Sequence, residues 1–188
     1  MPILENNISL YGASGKLANQ LVYRKTRFGM VVAGKPKKVA QINPVILANR
    51  SKFADAVHYA KRQLAKPEVL ALYRTGRTKA KGSAYVVAVS DYLSAPTISQ
   101  IDGEAYRGVA GQPIYVHASD DFRVTSVSIV IKSADGQELE RGEAVPNMDT
   151  RDGWIYATTV DNPLLKGTSI TVAARDVANN VTTEVLTL

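Results

Sequence analysis

Val127-Ser128-Ile129-Val130-Ile131 places a large apolar residue at every second position, at Val127, Ile129 and Ile131. A period of two is typical of a β-strand with one buried face. Asp135-Gly136 lies between this stretch and Leu139, and that dipeptide predicts a hairpin turn. We therefore expect two antiparallel strands here, with their apolar side chains in a common core.

The same alternation extends through the second half of the chain. Further strand candidates are residues 97–101, 114–118, 138–141, 154–158, 169–174 and 181–188. About seven short strands separated by regular turn signals are the pattern of a β-sandwich. Residues 96–188 are therefore predicted to form an all-β sandwich.

Two segments of this half resemble the turns of the bacterial immunoglobulin-like domains. The segments are Asp120-Asp121-Phe122-Arg123-Val124-Thr125-Ser126-Val127 and Val172-Ala173-Ala174-Arg175-Asp176-Val177-Ala178-Asn179-Asn180. In that family an acidic turn often precedes a V-x-x-V strand, and a late A-x-D-x-x-G-N turn follows. Asn179 replaces the usual Gly, which a left-handed backbone tolerates. The resemblance covers residues 96–188 only and implies an immunoglobulin-like domain used as a spacer, an adhesive module or a decoration on surface assemblies and phage particles.

The first half begins with a predicted hairpin. Residues 19–25 and 30–33 favour strands, and the short loop between them ends at Gly29. Upstream, Gly12-Ala13-Ser14-Gly15-Lys16 is interpreted as a flexible turn, because its spacing does not match a phosphate-binding loop. This half faintly resembles uncharacterised bacterial proteins that join an S-G-K…Y-R hairpin to helices, and that resemblance implies no function.

Helices are predicted after the hairpin. Asn43 before Pro44 is a helix start signal. The apolar stripe of this first helix comprises Ile46, Phe53, Val57, Ala60 and Leu64. A second helix is expected from Pro67 to its stop at Gly76. Residues 83–93 fit either a strand or a helix capped by Ser83, and we favour the helix.

The two halves meet at Ser94-Ala95-Pro96-Thr97 and carry opposite charge. Residues 1–95 hold 16 Lys and Arg against 4 Asp and Glu, a net charge of +12. Residues 96–188 hold 7 against 13, a net charge of −6, so the 188-residue chain carries +6. We predict an α+β protein with a basic hairpin-plus-helical domain over residues 1–95, followed by an acidic immunoglobulin-like β-sandwich over residues 96–188.

The sequence gives little support for catalysis. The absence of cysteine excludes disulfides, thiolate metal sites and thiol nucleophiles. The two histidines, His58 and His117, fall on opposite sides of the predicted boundary, and neither is spaced as the base of a nucleophile. His58 is expected at the surface or in an interface. We therefore predict no catalytic residue and no cofactor.

Asp120, Asp121 and Asp176 are the candidate ligands for calcium. Calcium takes six or more oxygen atoms, and the sequence nominates only three carboxylates. Asp120 and Asp176 are equally typical of residues that cap turns through their own side chains. On this basis no metal ligand is predicted.

Ten basic residues in three clusters are the predicted contacts with a partner or with nucleic acid. They are Arg24, Lys25 and Arg27; Lys35, Lys37 and Lys38; and Arg74, Arg77, Lys79 and Lys81. Such groups neutralise phosphates or acidic protein surfaces without reading a sequence. The chain has no helix-turn-helix, zinc-finger or RNA-recognition signature.

The expected function is that of a non-enzymatic structural or interaction protein, a self-assembling or decorating component of a larger bacterial or phage assembly. Its partners would be other copies of the chain, as a homo-oligomer or repeated subunit, and an acidic protein surface. The first alternative is an architectural protein that binds nucleic acid independently of sequence. The second is a surface adhesion module that uses Trp154 and Tyr156, although Trp154 is also typical of a sandwich core.

The sequence also bears on compartment. No apolar run approaches the length of a membrane span. The first seven residues lack the features of a Sec-type signal, so synthesis in the cytoplasm is expected. The expected final site is a phage particle or an extracellular assembly.

Overall fold

The computed structural model describes residues 3–4, 13–18, 20–26, 29–35 and 43–188. The chain divides into two compact units, residues 1–46 and residues 47–188. The predicted boundary between residues 95 and 96 lies inside the second unit, where it separates helices from strands. That boundary stays a prediction.

The first unit contains a four-stranded antiparallel sheet in the order β1-β4-β3-β2. Its strands are β1 (Ile3–Leu4), β2 (Gly15–Leu17), β3 (Leu21–Thr26) and β4 (Gly29–Gly34). The predicted hairpin is confirmed, since Leu21 pairs with Gly34 and Thr26 pairs with Gly29. Gly15 and Lys16, predicted as part of a flexible turn, lie in β2 because β3 supplies a pairing edge that the sequence pattern does not reveal.

Three helices follow: α1 (Pro44–Leu64), α2 (Pro67–Thr75) and α3 (Ala84–Leu93). The start of α1 is confirmed, because the Val45 N–H donates to Asn43 Oδ1 at 2.9 Å. Residues 84–93 are helical, as favoured, and Ser83 Oγ accepts from the Val86 N–H at 3.3 Å. Within the described part of the chain, no helix combines the length and apolarity needed to cross a membrane.

The predicted apolar stripe of α1 is buried only in the C-terminal part of the helix. Residues 44–55 are all exposed, and Ile46 and Phe53 keep 39% and 53% of their surface accessible. Ala60 is fully buried and Val57 is half-buried. The first three turns of α1 thus present apolar side chains to solvent. His58 is exposed on the same helix, as expected.

Residues 97–187 form two four-stranded antiparallel sheets that pack as a β-sandwich. The strands are β5 (Thr97–Asp102), β6 (Pro113–Ser119), β7 (Val124–Lys132), β8 (Glu138–Glu143), β9 (Val145–Pro146), β10 (Gly153–Ala157), β11 (Ser169–Asp176) and β12 (Val181–Thr187). One sheet has the order β5-β6-β10-β9 and the other has the order β12-β11-β7-β8. The predicted α+β class with a β-sandwich is confirmed.

The alternation in β7 determines which side chains enter the sandwich core. Val127, Ile129 and Ile131 are all fully buried, as the period of two predicts. The β7–β8 turn also forms as predicted, with Gly136 at φ +85° and its N–H donating to Ser133 O. Trp154 is half-buried against this core.

A second apolar cluster joins the helices to one end of the sandwich. Its buried members are Ala56, Tyr59, Ala60, Tyr73, Ala84, Val87, Ala88 and Val89. Phe122, Val177 and Ala178, from the turns after β6 and β11, pack against these helical residues. The end of the sandwich that carries the two resemblance motifs is therefore the end covered by the helices.

Candidate functional site

Three carboxylates from separate elements meet where the helices cover the sandwich. Asp91 lies in α3, Asp120 follows β6, and Asp176 is the last residue of β11. One carboxylate oxygen from each residue lies within 4.8 Å of the others. Asp91 and Asp176 are 0% and 1% exposed, while Asp120 is half-buried. We refer to Asp91, Asp120 and Asp176 as the aspartate cluster.

Local turn geometry positions two members of the cluster. Asp120 Oδ2 accepts from the backbone N–H groups of Phe122 and Arg123 at 2.9 and 3.0 Å. Asp176 Oδ1 accepts from the Asn180 N–H at 2.7 Å. The turn-capping roles predicted for Asp120 and Asp176 are therefore confirmed. These bonds orient both carboxylates at the end of the sandwich.

Two tyrosines hold the third carboxylate. The Tyr73 hydroxyl donates to Asp91 Oδ2 at 2.6 Å, deep in the helical cluster. Tyr59 Oη lies 2.8 Å from Tyr73 Oη and 3.3 Å from the carbonyl of Val177. The Tyr59 hydroxyl donates to that carbonyl. The pair links α1, α2, α3 and the turn after β11.

The side chain of Asn180 connects α3 to the sandwich. Its Nδ2 donates to the carbonyls of Asp91 and Ser94 at 2.9 and 3.1 Å, and to Asp176 Oδ2 at 2.7 Å. Carbonyls near the end of a helix lack intrahelical partners, so this amide satisfies groups that burial would otherwise leave unpaired. Asn180 thereby fixes Asp91 and Asp176 relative to each other.

The aspartate cluster brings acidic groups together in a buried place. Burial raises the pKa of Asp91 to about 7; the Tyr73 hydrogen bond opposes the shift, and the charges of Asp176, Asp120 and Asp121 add to it. Burial also raises the pKa of Asp176, with a contribution from Asp120. Among the described residues the ion pairs are Lys81–Asp121, Arg141–Glu138 and Arg151–Asp152, and none includes the cluster. Such an arrangement favours a bound proton or cation.

Asp121 is not part of the cluster, although its sequence position beside Asp120 made it a candidate. Its Oδ2 accepts from Lys81 Nζ at 2.7 Å and from Ser90 Oγ at 2.5 Å. Asp91 takes the third position instead. The available signal was a single carboxylate in an otherwise uncharged apolar helix, which indicates a buried and partnered charge.

The structure describes three residues of the first two basic clusters. Arg24 and Lys25 are exposed in β3, and Lys35 is exposed just after β4. Neighbouring residues in a strand point to opposite faces, so Arg24 and Lys25 do not share one surface of the sheet. Arg27, Lys37 and Lys38 lie outside the described residues.

The third basic cluster is described completely. Arg74 and Lys79 are exposed, and Arg77 Nε donates to the carbonyl of Gly82 at 3.1 Å. Lys81 Nζ is 2.7 Å from Asp121 Oδ2, an ion pair within the chain. The structure thus joins Lys81 to the acidic turn after β6. Partner binding by all ten basic residues stays a prediction.

The two residues proposed for adhesion belong to the sandwich interior. Tyr156 is 5% exposed, and its hydroxyl donates to Glu140 Oε2 at 3.2 Å. Trp154 packs half-buried against the same core. The buried Tyr156 ring offers no face to an external carbohydrate in this structure.

No protein-family profile matches the chain, and no curated protein matches it. Among solved structures, the chain is similar to CopC from Methylosinus trichosporium OB3b at 12% sequence identity. The similarity covers 49% of this chain and 87% of CopC, with a TM-score of 0.35.

Proposed function

We propose that the chain is a non-enzymatic structural or interaction protein, a self-assembling or decorating component of a larger bacterial or phage assembly. The exposed apolar stripe at the start of α1 is the observation that carries this proposal. The partner that we propose for the stripe is a neighbouring copy of the same chain.

The stripe has the geometry of a helical contact surface. Ile46 and Phe53 are seven residues apart, about two helical turns, so they lie on the same side of α1. Both are more than one-third exposed, and every residue from 44 to 55 is exposed. Large apolar side chains exposed on one side of a helix support a contact surface at this place.

The charge distribution supports a second copy as the partner. Residues 1–95 carry +12 and residues 96–188 carry −6. The basic half of one copy is therefore complementary to the acidic half of the next. Contacts between unlike surfaces of identical subunits generate rings or filaments.

We also infer that the sandwich is immunoglobulin-like. The order β5-β6-β10-β9 corresponds to strands A-B-E-D of that fold, and β12-β11-β7-β8 corresponds to G-F-C-C′. Asn179, at the position where the family usually has Gly, has φ +68°. Both observations support a spacer or decorating role, by analogy of fold alone.

Light-scattering mass on a sizing column tests the assembly. We expect the wild-type protein to form oligomers, and we expect Phe53→Ser to reduce the mass toward that of one chain. Phe53 is 53% exposed, so its replacement leaves the core intact. Val86→Ser is the matched control, because Val86 is 43% exposed on another helix, α3.

Salt separates the two contributions to assembly. Contacts between the charged halves weaken between about 0.05 M and about 0.5 M NaCl, whereas apolar contacts persist. A wild-type protein that stays monomeric at high concentration and low salt would refute the proposal. Equal masses for Phe53→Ser and Val86→Ser would mean that the exposed stripe of α1 does not contribute to assembly.

Nucleic-acid binding is the alternative, supported by the exposed Arg24, Lys25 and Lys35. If it is correct, the wild-type protein retards duplex DNA in a salt-dependent way. Replacing Lys35, Lys37 and Lys38 by Ala should then weaken binding and reduce the salt slope by about three. An unchanged slope would leave self-assembly as the function.

A further inference from the structure

We propose that the aspartate cluster binds Ca²⁺ and thereby joins α3 to the sandwich. The proposal departs from the sequence-based expectation of no metal ligand, because the sequence does not reveal that Asp91 is buried beside Asp120 and Asp176. It is independent of the assembly function.

Uncompensated charge is the first argument. Asp91 and Asp176 are almost completely buried, and they share a site with a third carboxylate. Buried charges are normally paired or coordinate metals, since transfer out of water is costly. Within the described residues, no Lys or Arg forms an ion pair with any of the three carboxylates. The nearby Lys81 is engaged with Asp121.

Unpartnered oxygens are the second argument. Asp91 Oδ1 and Asp120 Oδ1 are both buried, and neither has a hydrogen-bond partner. The other oxygen of each carboxylate is fixed, by Tyr73 for Asp91 and by backbone N–H groups for Asp120. Each side chain is thus held in place while one oxygen remains open. An unpartnered buried acceptor calls for an explanation, and an ion is one.

Coordination chemistry favours calcium over magnesium. Three carboxylate oxygens within 4.8 Å of one another are close enough to share one ion. Magnesium demands near-ideal octahedral geometry and usually keeps several waters, whereas calcium accepts a flexible set of oxygen ligands. Carboxylates already fixed by hydrogen bonds therefore suit calcium better.

Asp120 is the least enclosed member of the aspartate cluster. Asp120 is half-buried, whereas Asp91 and Asp176 are enclosed. Water bound on the Asp120 side would complete the six or more oxygens that calcium takes. A site with three carboxylates and a water-filled side is expected to have a Kd of about 10⁻⁶ to 10⁻³ M.

A bound ion would connect three elements that the chain does not hold together locally. Asp91 belongs to α3, Asp120 to the turn after β6, and Asp176 to the end of β11. Occupancy would replace the mutual repulsion of the carboxylates by a common attraction. We expect calcium to rigidify the attachment of the helices.

The full-length protein is tested first, with Ca²⁺ alone as the ligand. After chelation and dialysis at pH 8, calorimetric titration should show binding with one ion per chain. Calcium at about 100 times its Kd should raise the melting temperature by roughly 5–10 °C. Mg²⁺ at the same concentration should raise it less, and NaCl of equal ionic strength should not reproduce the shift.

Asp91→Asn provides the discriminating variant. The amide keeps an acceptor for Tyr73 and offers donors to Asp120 and Asp176, so the metal-free protein should melt at the wild-type temperature or above it. The calcium-dependent shift should be lost. Asp149→Asn, which removes an exposed carboxylate far along the chain, is the matched control and should retain the whole shift.

Three results would overturn the proposal. One is a wild-type protein with neither heat of binding nor a shift at about 10 mM Ca²⁺, ten times the weakest expected Kd. In that case the cluster holds a proton rather than an ion. The second is an Asp91→Asn protein that keeps the wild-type response, because the ion would then bind elsewhere. Equal shifts with calcium and with NaCl of equal ionic strength are the third.

Discussion

The Tyr73 hydroxyl is the hydrogen-bond donor that stabilises the buried Asp91 side chain. It provides the hydrogen bond to Asp91 Oδ2, and Asp91 Oδ1 has no hydrogen-bond partner. Burial and the adjacent Asp91 carboxylate raise the pKa of Tyr73 well above its usual value, so the hydroxyl stays protonated and remains a donor. The tyrosine therefore acts as a fixed donor at every pH at which the protein is folded.

Tyr73→Phe should destabilise the protein by about 1–3 kcal/mol, because it leaves a buried acceptor without its donor. Tyr59→Phe should have a smaller effect, since Asp91 then keeps its bond to Tyr73. Both rings stay in place in these variants, so packing is matched. Urea unfolding midpoints measure the difference. Equal losses for the two variants would mean that the Asp91 bond contributes no more to stability than the hydrogen bonds of Tyr59.

The roles of residues that bond to close neighbours in sequence could be predicted, whereas the role of Asp91 could not. Asn43 and Ser83 accept from backbone N–H groups two and three residues ahead, so their roles follow from local sequence. Asn179 needs only its own backbone angle. The carbonyl of Asp91, in contrast, accepts from Asn180, which is 89 positions away. Such a pairing depends on how α3 packs, which no local pattern specifies.

The end of α2 illustrates packing between elements. Gly76 follows the helix as predicted, but its φ of −82° is open to any residue, so left-handed backbone is not the reason for glycine. A Cβ at this position would lie 2.5 Å from two ring carbons of Phe122 and 2.8 Å from Val87 Cγ1. Glycine is required because α2 ends directly against the sandwich turn and α3.

Gly76→Ala should therefore cost about 1–3 kcal/mol of stability through overpacking. Gly34→Ala is the control, because a Cβ there meets nothing within 4 Å and the backbone is not left-handed. Chemical unfolding of both variants checks the prediction. If Gly76→Ala matched Gly34→Ala, the contact with Phe122 would be more adaptable than the structure indicates.

Helix α1 shows that the hydrophobic periodicity of a helix does not determine how much of its apolar side is buried. The sequence predicted the helix, its start at Asn43 and an apolar stripe from Ile46 to Leu64. Only the C-terminal half of that stripe enters the core, where Ala60 is buried and Val57 and Leu64 are half-buried. Periodicity identifies which side of a helix is apolar. It does not identify how much of that side meets a partner within the same chain.

At the scale of the molecule, the sandwich carries its own core and also supports the helices. Its interior contains Ile114, Val116, Ile129 and Ile170, all fully buried. The helical core is smaller, and four of its eight buried members are alanines. Phe122, Val177 and Ala178 of the sandwich complete it. We therefore expect the sandwich to fold without the helices, but not the reverse.

Three fragments of the chain test whether the sandwich folds without the helices, and they test the predicted boundary as well. Residues 96–188 should unfold cooperatively, but at a temperature roughly 5 °C or more below that of residues 43–188, for a loss of about 2 kcal/mol. Residues 43–95 should show no cooperative transition. Equal melting temperatures for the two longer fragments would instead mean that the sandwich gains no stability from the helices, as the predicted boundary implies.

The sandwich class could be predicted because alternation and turn residues act within each hairpin. Val127, Ile129 and Ile131 specify one buried face, and Gly136 permits the return of the chain. The union of helices and sandwich could not be predicted, since it depends on pairs such as Tyr59 and Val177. The sequence boundary marks a change of pattern, while the compact unit of residues 47–188 reflects packing.

The edge strands of the two sandwich sheets differ in how well they are protected against aggregation. Strand β9 is two residues long and contains a proline, β8 carries Glu138, Arg141 and Glu143, and the register of β5 shifts at Ile98. These are the features by which natural sheets discourage edge-to-edge growth. Strand β12 runs for seven residues with a single charge, Glu184, and no shift against β11. Strand β12 therefore carries the fewest of these protective features among the four edge strands, and Val185 would be the natural place to add a lysine.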